Sequence, residues 1–102
     1  MIVYNVTVNI EQSIEQEWLE WMQQTHIPEV IATGKFTKAL LTKVLIEEEM
    51  GGTTYSVQYT APSKEALQAY YEEDAEQLRA ASNRFAGKFV AFRTELEIIS
   101  HH

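Results

Sequence analysis

Between Ile14 and Gly34 the sequence IEQEWLEWMQQTHIPEVIATG gathers the residues best able to do chemistry: both tryptophans, Trp18 and Trp21, and His26, the one histidine outside the C-terminal pair. An imidazole changes charge near neutral pH, so His26 can serve as a general base at the mouth of an aromatic pocket. Such a pocket would take Trp18 and Met22 from the same helix and Tyr59 and Phe92 from facing strands. The competing role is structural, a hydrogen bond from His26 to a backbone carbonyl where the helix turns, and that is the commoner fate of a lone histidine. Trp18 and Trp21 are likewise suited to filling a core or lining a cleft. Tyr55, Tyr59, Tyr70 and Tyr71 carry the same ambiguity, because a buried phenol needs a partner for its hydroxyl.

One usable histidine and no cysteine argue against zinc and leave haem as a remote option, so no metal and no cofactor is expected. A phosphate loop, a dinucleotide glycine pattern, a nucleophile elbow and an acylphosphatase-like glycine loop with its arginine are all missing, and nothing supports covalent catalysis. Arg79, Arg84 and Arg93 are the only arginines. Arg84, near a helix end, suits the negative end of that helix's dipole. Arg93, in a strand, is expected to pair with Glu95 across a dimer interface or else to meet a ligand carboxylate.

These side chains must be held by regular elements, and the sequence pattern predicts them. Ile2, Tyr4, Val6, Val8 and Ile10 alternate with polar neighbours as in a strand. Ser13 can cap the following helix, with Glu15 and Glu17 in its first turn. Ile14, Trp18, Trp21, Met22 and Thr25 form its apolar stripe, with His26 at the edge. A kink or restart is expected at Ile27-Pro28, and Gly34 ends the helix. Lys35 to about Glu47 reads as a strand apolar on both faces, hence central or in contact with another subunit. Glu47 to Gly52 reads as an exposed hairpin loop, and Thr53 to Ala61 as the returning strand. Pro62 to Glu65 opens a second helix carrying Leu67, Tyr70, Tyr71, Ala75, Leu78 and Phe85, with a break near Glu73-Asp74, where Asp74 and Gln77 resemble a cap. Gly87 ends it, and Lys88 to Ile99 is the last strand, with Val90, Phe92, Leu96 and Ile98 on one side.

Composition bounds the function. The 102 residues suit a single domain, residues 1–100, while His101 and His102 read as a tag remnant. A net charge of −7, with scattered lysines and arginines, disfavours nucleic acid. No apolar run approaches the roughly 18 residues of a membrane span, and the basic start of a secretory signal is missing, so no membrane contact and a cytoplasmic location are expected.

The halves of the chain echo one another. Thr33-Gly34-Lys35-Phe36 enters the second strand as Ala86-Gly87-Lys88-Phe89 enters the fourth, and Tyr4-Asn5-Val6 has a counterpart in Tyr55-Ser56-Val57. Two right-handed strand–helix–strand units interleaved in one antiparallel sheet give an α+β, ferredoxin-like βαββαβ sandwich, four-stranded, with helices on one face. The alternation assigns the uncovered face Asn5, Thr7, Asn9, Ala39, Leu41, Lys43, Leu45, Ser56, Gln58, Thr60, Ala91, Arg93 and Glu95. That mixture suits a homodimer packed through this face, with Lys43, Arg93 and Glu95 paired inside or at its rim.

The strand IVYNVTVNI, the helix pattern W-x-x-W-M-x-x-x-H-I-P-E-V-I-A-T-G-x-F, the strand YSVQY and the ending FVAFRTELE together resemble a family of small uncharacterised bacterial proteins. That family is a domain of unknown function in the dimeric α/β-barrel superfamily. The resemblance covers nearly the whole chain and implies a ferredoxin-like protomer and a homodimeric barrel. Distant members of the superfamily include cofactor-free monooxygenases, chlorite-dismutase-like haem proteins, muconolactone isomerases and stress-responsive barrel proteins, which place small ligands between sheet and helices. The reading that follows is a homodimer binding a small, partly apolar molecule in a cleft lined by His26, Trp18, Met22, Tyr59 and Phe92. One alternative is a cofactor-independent monooxygenase or isomerase with His26 as base, and another is a structural or regulatory interaction module with no ligand.

Overall fold

In a computed structural model, which describes residues 1–46, 48–49 and 51–102, the chain runs β1 (Ile2–Ile10), α1 (Glu15–Trp21), α2 (Ile27–Ala32), β2 (Lys38–Lys43), β3 (Thr53–Ala61), α3 (Lys64–Glu73), α4 (Ala75–Ala80) and β4 (Phe89–Glu97). The strands form one antiparallel sheet in the order β2-β3-β1-β4. This is the ferredoxin-like arrangement that the pattern predicts. Of the expected hairpin loop Glu47–Gly52, Glu47 and Met50 lie outside the described residues.

The helices cover the face on which β1 displays Ile2, Tyr4, Val8 and Ile10 and β3 displays Tyr55, Val57, Tyr59 and Ala61, all of them buried. Ile10, Val30 and Val57 are sealed completely, and each such burial stabilises by about 1.5–3 kcal/mol. Tyr4, Phe36, Tyr59 and Tyr70 form an aromatic cluster at one end of this layer, with Phe36 and Tyr70 edge-to-face at 4.8 Å. The sequence echo has a structural meaning: both helical segments end on a left-handed glycine, Gly34 at φ 80° and Gly87 at φ 82°.

Several expectations need correction. Ser13 does not cap α1; it sits in a short 3₁₀ turn and donates to Glu11 Oε1 at 2.9 Å. Ser63 does cap α3, its hydroxyl accepting from the Ala66 amide at 3.1 Å. The second helix breaks at Asp74 as expected, but the Asp74 side chain caps nothing there. Its carboxylate instead accepts from Lys35 Nζ at 3.0 Å, tying the entrance of β2 to that break. β2 is short and lies at an edge of the sheet, not at its centre.

The faces of both edge strands are also the reverse of the expectation. Pairing sets Ala91 opposite Val8, Arg93 opposite Val6 and Glu95 opposite Tyr4, while Ala39 and Leu41 lie opposite Tyr59 and Val57. Ala39, Leu41, Lys43, Ala91, Arg93 and Glu95 therefore share the covered face, and Leu40, Val90, Phe92 and Leu96 share the open one. Alternation tells which residues of a strand point the same way, but only the register against a neighbour tells which way that is.

Replacing Ile10 with alanine should lower unfolding free energy by about 2–5 kcal/mol. Leu45, 89% exposed, should tolerate the same change to within about 0.5 kcal/mol. Urea denaturation of the two variants measures the difference.

Candidate functional site

His26 owes its position to an irregular turn. Residues Met22–His26 form a π-helical turn between α1 and α2, closed by the Ile27 amide donating to the Met22 carbonyl. Pro28 has no amide hydrogen, and its ring crowds the carbonyl four residues before it, so a regular α-helical turn is disfavoured here. Widening the turn keeps the chain helical through Ile27 (φ −60°, ψ −46°), and the expected restart is α2 itself, which begins at Ile27. The extra residue also changes which side chain arrives over Trp21. In an α-helix it would be Thr25, four positions on; here Thr25 is exposed, and the His26 ring stacks on the indole at 4.6 Å and 22°. Phe85 meets the edge of Trp21 at 5.4 Å, and the Arg84 guanidinium, which also donates to Glu17 at 3.3 Å, lies 5.8 Å from the ring centre.

Among the described residues, His26 Nδ1 is buried and has no hydrogen-bond partner. Burial, and secondarily the positive charge of Arg93, lower the pKa of its ring to about 4. The imidazole is therefore neutral at physiological pH, and its unpartnered Nδ1 donates or accepts according to tautomer.

His26 borders a cavity of about 50 Å³ between sheet and helices. That is room for a few waters by the roughly 10–15 Å³ each requires. Trp18, Met22 and Val30 line it from the first helical segment, Tyr4, Val6 and Val8 from β1, and Val57 and Tyr59 from β3. Tyr70, Arg79 and Ser82 close it from the second helical segment, and Phe89, Ala91 and Arg93 from β4. Arg79 Nη2 donates to the Tyr4 hydroxyl at 2.8 Å. Burial, then the neighbouring Tyr4, raises the Tyr70 hydroxyl to about 12, and burial pushes that of Tyr59 well above the ordinary phenol range. Both are protonated donors at neutral pH.

The structure thus brings Trp18, Met22, His26 and Tyr59 to one cavity and sets Phe92 apart. Phe92 stands on the open sheet face, 62% exposed, because its partner in the register is Thr7 and not a covered residue of β1. The same register turns Arg93 toward the cavity, and Glu95 accepts from the Tyr71 hydroxyl at 2.7 Å in place of the expected pairing with Arg93. Sequence reasoning missed Arg79, and it named Arg93 as a contact for a ligand carboxylate only as the alternative to a dimer pairing, on the opposite sheet face. Arg79 follows the buried Ala75 by four positions, so helical spacing alone puts its stem on the inward side. Nothing in the β4 pattern revealed Arg93, since the more apolar set of alternating residues faces outward.

Residues 1–99 match the family described as "Domain of unknown function (DUF4286)". No curated protein matches the chain. Among solved structures, it is similar to a dimeric ferredoxin-like protein from an uncultured marine organism, with 10% identity, 99% of this chain and 97% of that chain covered, and a TM-score of 0.73. An ethyl tert-butyl ether d (EthD) family protein from Bacillus halodurans C-125 is 19% identical over 97% of this chain and 100% of that chain, with a TM-score of 0.70. SnoaB from Streptomyces nogalater, described as a cofactor-independent oxygenase, is 9% identical over 98% of this chain and 95% of that chain, with a TM-score of 0.68. At these identities the likeness is one of fold.

The pKa of His26, near 4 in the folded chain, lies below the roughly 6.5 of an unfolded histidine. Between these values the unfolded chain takes up a proton that the folded chain refuses, so this group lowers stability as pH falls from 6.5 toward 4 and adds no further loss below that. Thermal melts across this range should show a steeper pH dependence for wild type than for His26→Gln, and the His26 ring signals in NMR should titrate near pH 4.

Proposed function

We propose that this chain, which belongs to the family described as domain of unknown function DUF4286, acts as a homodimer that binds a small, partly apolar molecule in the cavity between its sheet and helices. The observation that carries the reading is the unpartnered Nδ1 of His26, buried beside a cavity walled by Trp18, Met22 and Tyr59. A buried polar atom without a partner costs about 1–3 kcal/mol. A ligand that hydrogen-bonds there recovers that loss. An apolar body then fits against the indole and thioether.

The dimer rests on the open face. Leu40, Val90, Phe92 and Leu96 are exposed there, flanking a polar ladder in which Ser56 donates to Asn5 Oδ1 at 2.7 Å and Asn5 donates to Thr94 at 3.2 Å. A second copy brings an identical surface, so apolar strips can cover one another while the ladders stay satisfied within each sheet. The dimeric ferredoxin-like neighbour supports this choice of occupant. Among the described residues no helix is long and apolar enough to cross a membrane.

A second reading, a cofactor-independent enzyme with His26 as general base, draws on the likeness to an oxygenase of that kind. A histidine of such low pKa is a weak base in the empty cavity. It becomes a competent one only when a bound group favours its protonated form.

A thermal-shift screen of small aromatic and alicyclic metabolites on wild type and on Ala91→Leu tests the cavity. The leucine fills space beside His26, so compounds that stabilise wild type should lose their effect on this variant, and retention of the full shift would overturn the site. Any hit that is also turned over should lose turnover in His26→Ala if that ring is the base. In light scattering, wild type should weigh twice the 11.7 kDa protomer, and Phe92→Glu should return it to the single mass.

A further inference from the structure

We infer that the cavity selects a carboxylate: a small ring acid whose anionic group lies between the guanidinium groups of Arg79 and Arg93 and whose hydroxyl or amide hydrogen bonds His26 Nδ1. The inference rests on the binding reading above and narrows it from any partly apolar molecule to one charge class.

The argument starts from where positive charge is left without an opposite. The chain carries fifteen acidic residues against eight basic ones, so a basic side chain has carboxylates in plenty to pair with. Lys35 takes Glu73 and Asp74, and Arg84 takes Glu17. Among the described residues the other six, Lys38, Lys43, Lys64, Lys88, Arg79 and Arg93, are in no such pair, and of these Arg79 and Arg93 border the cavity. Arg79 spends one donor on the neutral Tyr4 hydroxyl, leaving other guanidinium donors open. Glu95, two positions along the same strand face from Arg93, is held by Tyr71 instead.

Among the described residues the cavity lining contains no aspartate or glutamate, and its remaining polar groups are the Tyr4, Tyr59 and Tyr70 phenols, the Trp18 indole, Ser82 and His26. Two cations among hydroxyls and an imidazole, which can each donate or accept, form a set complementary to an anion that also carries a hydrogen-bonding group. The planar forks of two arginines match a carboxylate in geometry as well as charge. In a protein of net charge −7, this is a local reversal of the surface field, and it would draw an anion past otherwise repelling surroundings. Trp18, Met22 and Val57 offer the ring an apolar face.

Matched acids and amides separate charge from shape. We would titrate 3-hydroxybenzoate against 3-hydroxybenzamide, and phenylacetate against phenylacetamide, following tryptophan fluorescence and amide NMR shifts. Each acid should bind about tenfold more tightly than its amide, the ratio expected when charged hydrogen bonds replace neutral ones. Arg93→Gln should erase most of that advantage and leave the amides within about twofold of wild type, and Arg93→Lys, which keeps the charge but not the fork, should fall between. Arg93 is exposed on an edge strand, and thermal melts would verify that both variants fold. Equal binding of acid and amide, or an acid affinity unmoved by Arg93→Gln, would overturn the charge class and leave the cavity reading standing. No response to any of the four probes would overturn both.

Discussion

β1 lies between β3 and β4, and its pairing with those two strands is the constraint from which the rest of the molecule follows. With Val6 opposite both Val57 and Arg93, one register sets what the helices can bury and what the open face offers. A shift of one residue in β4 would bring Phe92 under the helices and turn Arg93 to the other side. The core would gain an aromatic ring, and the cavity would lose one of its two cations. β4 therefore trades burial for chemistry, keeping its larger apolar side chains outside where a covering surface can use them.

The helical layer shows a similar compromise. Trp21 is held by Phe85, Arg84 and His26 from three directions, which makes it a structural anchor. Trp18, one turn earlier, meets Tyr55 at 5.1 Å, and the Tyr55 hydroxyl donates to Glu15. Between these fixed points the protein tolerates a cavity and an unpartnered imidazole nitrogen, neither of which a core optimised for stability would keep. Local sacrifice of stability within an otherwise closely packed layer is the usual mark of a site.

Most of the fold was legible in the sequence because it rests on short-range signals: the alternation of Ile2 to Ile10, the helix opening at Pro62 to Glu65, the glycines at positions 34 and 87, and the bounds of β3. Trp18, Met22, Tyr59 and His26 were legible as neighbours for the same reason, since helical spacing and strand alternation both hold locally. What was not legible depends on distant partners. The inward turn of Arg93 and the outward turn of Phe92 are properties of a pairing with β1 more than eighty residues away in the chain, and the alternation of β4 fits either side. The Lys35–Asp74 ion pair is likewise long-range, joining positions that local pattern treats separately. The failure at Thr25 has another origin: a period of 3.6 residues was applied across a turn that does not have it.

That turn has a consequence for how the site could have arisen. A π turn in a helix amounts to one residue more than the regular spiral accommodates, and it is what lets His26 stand over Trp21 at the present chain length. Removing a single residue from the Gln23–Thr25 stretch would leave every side chain of the cavity in the sequence. It would let the helix relax to ordinary pitch with the imidazole now four positions after Trp21, where a regular helix also sets it over the indole. Among related chains, a helix one residue shorter between the second tryptophan and the proline would need no π turn to make the same stack.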